Sequence, residues 1–110
     1  MLTKKERTID KYMKAGAEMR LIKTLASRAF VDVDCLIKVS DQNKLRRVMI
    51  IIDEICSTAE DNMFRDHPQL SDEYINVFYG ATNNRPINSV DAHVLEITKD
   101  TADACTKEGI

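Results

Sequence analysis

The groups best suited to chemistry in this sequence are carboxylates and histidines at helical spacing. Asp53 and Glu60 stand seven apart, as do Glu54 and Asp61. A seven-residue step returns a helix to nearly the same face. Carboxylates stacked this way on facing helices can hold Mg²⁺ or a two-metal centre. His67 and His93 each have an acidic neighbour, Asp66 and Asp91, and with Asp53 and Glu60 they make up the ligand set of a metal-dependent helical phosphohydrolase. The spacing argues against that alternative. Helices that carry such centres use Glu-x-x-His or Glu-x-x-Glu, and the stretch around Asp53 to Asp61 has neither. Two histidines are also few for such a site. The carboxylates are read as a solvated face, His67 as a partner for helix-terminal carbonyls, and His93 as a boundary residue. No cofactor or metal is expected.

Nucleophilic schemes have less support. Cys35, Cys56 and Cys105 never fall in CxxC spacing and are odd in number, so they form neither a disulfide framework nor a zinc signature. Each lies in an apolar periodic stretch, where burial raises a thiol pKa and makes it inert. The three glycines, at 16, 80 and 109, cannot assemble a phosphate-cradling loop. The residues thus favour a non-enzymatic protein.

Two surface features remain. Arg7, Lys11 and Lys14 make a basic stripe at i, i+4 and i+7, a pattern that can meet phosphates or an acidic protein. No aromatics interleave with it and no helix-turn-helix pattern surrounds it, which argues against nucleic acid. The second feature is the run Tyr74-Ile75-Asn76-Val77-Phe78-Tyr79, the most aromatic in the chain. On a helix, Tyr74 and Phe78 share one side, and Ile75 and Tyr79 another. One pair can face a core while the other stays exposed, which predicts a partner-binding surface at Tyr74, Phe78 and Tyr79. The competing reading makes the run a plug that closes the end of a bundle.

The elements that position these groups are helical. Tyr12, Ala15, Met19, Ile22, Ala26, Ala29, Val33 and Leu36 recur in alternating steps of three and four, a heptad seam. It predicts a first helix from Thr3 to Lys38, opened by Thr3 and Glu6 as a capping box. The alternation Val31-Asp32-Val33-Asp34-Cys35 resembles a strand, but the seam runs through it and no partner strand exists, so it is read as helix. After a connector at 39–43, with Ser40 or Asp41 as cap, Leu45, Val48, Ile52, Ile55 and Ala59 carry a second helix over 41–65. A short link between two long helices makes an αα-hairpin. His67-Pro68 ends the second helix. A third is expected from Asp72 to Tyr79, stopped by Gly80, then a loop over Ala81–Asn88. A fourth runs over 90–107, capped by Asn88 or Ser89, with Lys107 to Ile110 frayed. The fold expected is all-α: a single domain over 1–110, a four-helix bundle built on a long hairpin.

Composition agrees. Few glycines (3) and prolines (2) argue against an all-β fold. The net charge of −2 hides a basic half, 12 Lys and Arg against 6 acids in residues 1–47, and an acidic half, 4 against 12 in 48–110. Antiparallel helices with complementary flanks account for that division. The N-terminus has no apolar run behind it, so no signal peptide is expected. The longest apolar run, Val48 to Ile52, is far short of the roughly 18 residues that span a bilayer. A cytoplasmic protein without membrane contact follows as the expectation. The first helix, at roughly 50 Å, outreaches the elements that must cover it, the fourth being about 27 Å. Exposed seam, together with Ile50 and Ile51, therefore predicts a homo-oligomer, most simply a dimer.

Overall fold

The computed structural model describes residues 1–82 and 85–108. Part of the expected Ala81–Asn88 loop, at positions 83 and 84, lies outside the described residues, as does the expected fraying at Gly109 and Ile110. Among the described residues there are three α-helices and no strand: α1 (Ile9–Asp34), α2 (Val39–Asp66) and α3 (Ser89–Lys107), with a single 3₁₀ turn, Asp72–Tyr74, between α2 and α3. The fold is all-α, but three helices replace the four expected.

Each boundary has a local cause. Thr3 and Glu6 do pair, with Thr3 Oγ1 donating to Glu6 Oε1 at 2.8 Å, yet they close only an isolated turn. The cap of α1 is Thr8, whose hydroxyl accepts from Lys11 N at 3.3 Å. At 26 residues α1 is about 39 Å long, shorter than the seam implied. It is helical through Asp34, so the 31–35 alternation is not a strand, while Leu36 falls beyond the helix end. The connector is residues 35–38. There Gln42 Nε2 donates to Asp34 O at 2.8 Å, satisfying a carbonyl that α1 leaves free. The N-cap of α2 is Lys38, without a side-chain bond; Ser40 and Asp41 sit in its first turn. His67 ends α2 at φ −130° and ψ 69°, displaced from helical backbone by Pro68. Asn88 caps α3, accepting from Asp91 N at 2.8 Å.

The stretch from 72 to 80 is a chain of turns rather than a helix. Ile75 N bonds to Asp72 O, Val77 N to Tyr74 O, and Tyr79 N to Asn76 O. Cations of α1 take the carbonyls at the end of this stretch. Arg20 donates to Val77 O at 3.0 Å, Ala81 O at 3.1 Å and Asn76 O at 2.6 Å, and Lys23 to Phe78 O at 2.8 Å. Gly80 therefore serves a different purpose from the stop expected of it. Its backbone is not left-handed, but a Cβ there would collide with the Arg20 guanidinium. Gly16 is needed for the same kind of approach, since a Cβ would lie 2.5 Å from Val77 Cγ1 and 2.6 Å from Val77 O.

The core sits at one end of the hairpin. Tyr12, Met13 and Ala17 of α1 meet Cys56 and Met63 of α2, Val77 and Phe78 of the turns, and Val90 and Val94 of α3. The helix α3 packs against α1 and the 3₁₀ turn, not against α2. One face of the hairpin is thus covered, and the molecule is elongated, 47 × 28 × 27 Å.

Candidate functional site

Two ion pairs join the basic half of the chain to the acidic half. The Arg7 guanidinium grips Asp66 with two bonds, Nε to Oδ2 at 2.6 Å and Nη2 to Oδ1 at 3.0 Å. Tyr12 Oη also donates to Asp66 Oδ2 at 2.6 Å, and His67 Nε2 lies 2.8 Å from Arg7 O. This clasp ties the segment before α1 to the end of α2. The Arg7 and Tyr12 hydrogen bonds hold the Asp66 carboxyl well below the usual carboxylate range, and burial with the adjacent carboxylate pushes the Tyr12 hydroxyl up.

The second pair is deeper. Arg20 is 1% exposed, and its Nη2 lies 2.8 Å from Asp91 Oδ1. Each guanidinium nitrogen gives one hydrogen to a carbonyl of the turn segment, and Asp91 Oδ1 lies within ion-pair distance but accepts no directed hydrogen bond. Asp91 Oδ2 accepts from Ile87 N at 3.1 Å. A cation at the edge of the heptad seam calls for an acid on another helix, and Arg20 has one in Asp91. Lys23 has none; it donates to Phe78 O and lies 4.3 Å from the centroid of the Tyr79 ring.

These contacts relocate the residues singled out from sequence. Tyr74, Phe78 and Tyr79 do not form one exposed surface: Phe78 is 1% exposed, Tyr74 packs on the core, and Tyr79 is 40% exposed under Lys23. The aromatic run is a plug, because turns rather than a helix point Val77 and Phe78 together into the core. Arg7 precedes α1 and is engaged by Asp66, which removes it from the stripe and leaves Lys11 and Lys14 exposed on the helix. Asp53, Glu60, His67 and His93 do not converge. Exposed His93 rides on α3, which packs on α1, and His67 is at the far end of α2. Among the described residues no group of three or more His, Cys, Asp or Glu is placed to hold a metal ion. Burial, with Asp61 beside it, pushes the Glu60 carboxyl up. Only Cys56 of the three thiols is buried; Cys35 and Cys105 are exposed, contrary to the expectation for them. Burial pushes the Cys56 thiol up.

No family model, curated protein or solved structure matches this chain. The surface itself must then say what the fold presents.

That surface is the uncovered face of the hairpin. The turn segment lies against Gly16, Arg20, Lys23 and Thr24 of α1 and reaches α2 at Asp53, whose carbonyl is 3.5 Å from Tyr79 Oη. At 100° per residue the opposite flank of α1 carries Ile22, Leu25, Ala29 and Val33, and that of α2 carries Val48, Ile51, Ile55 and Ala59. The large members are 37–68% exposed. A groove of about 400 Å³ runs along this flank, lined by Ile51, Glu54, Ile55, Thr58, Ala59 and Asn62. Ile22, Ala29, Val33, Val48, Ile55 and Ala59 were legible as heptad seam, while Leu25 and Ile51 lie outside it. What sequence could not show is that the third and fourth segments would both choose the other face.

Proposed function

We propose that this chain is a non-enzymatic helical interaction module whose working surface is the bare apolar face of the α1–α2 hairpin. One observation carries the reading. Two parallel stripes of large aliphatic side chains face away from every other element of the fold. Together they expose on the order of 500 Å² of apolar side chain, the size of patch that marks an interaction site on a soluble domain. Scattered single hydrophobics need no such explanation, but these are contiguous and rimmed by charge.

The aromatic run serves this function indirectly. By plugging the other face it stiffens the core end of the hairpin and presents the bare face on a firm base. Among the described residues no helix is long and apolar enough to cross a membrane. The exposed free thiols Cys35 and Cys105 fit a reducing compartment such as the cytoplasm.

A photo-crosslinking residue placed at position 55 or 25 in cells tests the reading, with position 103 on exposed α3 as control. Discrete protein adducts are expected from 55 and 25 and not from 103. No adducts, or the same adducts from all three positions, would refute it.

A further inference from the structure

We infer that the occupant of the bare face is a second copy of this chain, docked antiparallel about a two-fold axis beside Ile51 and Ile55. This rests on the reading of that face as a docking surface and names its partner.

Charge supplies the first reason. The α2 stripe and its outer border change sign along their length. Lys44 on the stripe and Arg47 at its border lie towards the start of α2, and Glu54 and Asp61 at the border lie towards its end, all exposed. A strip that is basic at one end and acidic at the other complements itself when turned end for end, as a two-fold interface requires. With the axis between residues 52 and 53, Lys44 stands opposite Asp61 of the second copy. Arg47 stands opposite Thr58 and falls between Glu54 and Asp61 of that copy, one turn from each. Among the described residues, the one ionic contact drawn by this strip within one chain is Lys44 with Asp41 at 3.1 Å, between side chains 71% and 36% exposed. Such a pair contributes little and exchanges readily.

The side chains nearest the axis supply the second. Ile22 of α1 and Val48, Ile51 and Ile55 of α2 cluster about its level and are 43–55% exposed, so the same four side chains of the second copy would cover them. The shapes also suit. Two hairpins laid face to face form a four-helix layer with the α2 stripes inside, and the side-chain steps 48, 51, 55, 59 are those of interlocking helices.

The test uses the whole chain in sedimentation equilibrium. Wild type is expected as a dimer, twice the 12.5 kDa chain mass, weakened by salt because its rim is ionic. Ile55→Asp is expected to be monomeric, with unchanged helical circular dichroism because the side chain is 55% exposed. Lys44→Glu/Arg47→Glu and Glu54→Lys/Asp61→Lys should each self-associate about tenfold or more weakly, since every cross-axis pair becomes a repulsion. Mixed in equal amounts they should form a heterodimer that restores the affinity. A wild-type monomer at high micromolar concentration, a dimer that survives Ile55→Asp, or reversed variants that do not rescue each other would overturn the inference. A wild-type monomer that still crosslinks from position 55 in cells to other proteins would overturn this inference alone and leave the docking face standing.

Discussion

Replacing Arg20 with methionine should cost the protein a large fraction of its stability. The side chain is fully enclosed and holds three backbone carbonyls of the turn segment while facing Asp91. Methionine retains much of the aliphatic volume, so the change removes interactions more than packing. Removing one partner of a buried pair costs about 3–5 kcal/mol, because the other charge is left uncompensated. Each buried carbonyl left without a donor costs a further ~1–3 kcal/mol unless water reaches it. Some of the carbonyls will rotate to solvent, so we expect a net loss of about 4–6 kcal/mol, against a total of about 5–15 kcal/mol for a domain of this size. In urea, with a slope of about 1–3 kcal/mol per molar, the midpoint should fall by about 2–4 M. Arg20→Lys should recover little, because one ammonium cannot reach carbonyls spread over Asn76, Val77 and Ala81. Adding Asp91→Asn to Arg20→Met removes the stranded charge and should return about 1–2 kcal/mol. A loss under about 1 kcal/mol for Arg20→Met, by chemical denaturation followed at 222 nm, would refute the claim that Arg20 organises the 72–82 segment.

Other expectations follow from the same contacts. Gly16→Ala should destabilise by about 1–3 kcal/mol through overlap with Val77, although alanine is the better helix former by about 1 kcal/mol; thermal unfolding gives the sign. Asp66 is held below its unfolded pKa by Arg7 and Tyr12, so its contribution is complete above the ordinary carboxylate value near about 4 and fades as pH falls below it. Stability measured against pH should therefore drop on the acid side, and Asp66→Asn should flatten that limb while lowering stability at neutral pH. In native protein a thiol reagent should modify Cys35 and Cys105 quickly and Cys56 only on unfolding, since Cys56 is 0% exposed and its thiol is pushed up; mass spectrometry counts the adducts. Met63→Ala, also at a fully buried position, should cost about 2–5 kcal/mol.

The legible part of this fold is what short-range periodicity encodes. The steps of three and four through Tyr12 to Val33 and Leu45 to Ala59 are stated by neighbouring residues, and the hairpin follows from them. So do the end of α2 at Pro68 and the cap at Asn88. The 72–80 segment failed as a prediction for a definable reason. Its residues tolerate a helix, and the contacts that hold it, from Arg20 and Lys23 to the carbonyls at its end, come from more than 50 positions away in sequence. A cation near a seam says that a buried partner exists without saying which. Arg7 shows the same limit, since its place in a stripe of spacing four was overruled by Asp66, 59 residues on. Thr3 and Glu6 made the local bond expected of them, and only the lack of following helix made Thr8 the cap. The candidate site was half legible. The apolar stripes and their excess over the covering elements could be read from sequence, while the face left bare depended on where α3 docked, and α3 docked on α1.

The central claim is that the hairpin's bare face is covered by protein in the working state. Cysteine accessibility at its middle tests this most directly. In a chain carrying Ile55→Cys, with Cys35→Ser and Cys105→Ser to silence the exposed native thiols, the labelling rate by a permeant maleimide is compared between living cells and the purified protein at nanomolar concentration. The dilute protein should label at the rate of an exposed thiol, consistent with the 55% exposure of Ile55, and the protein in cells at least about tenfold more slowly, as coverage by a partner present well above its Kd would impose. Equal rates in the two settings would contradict the account.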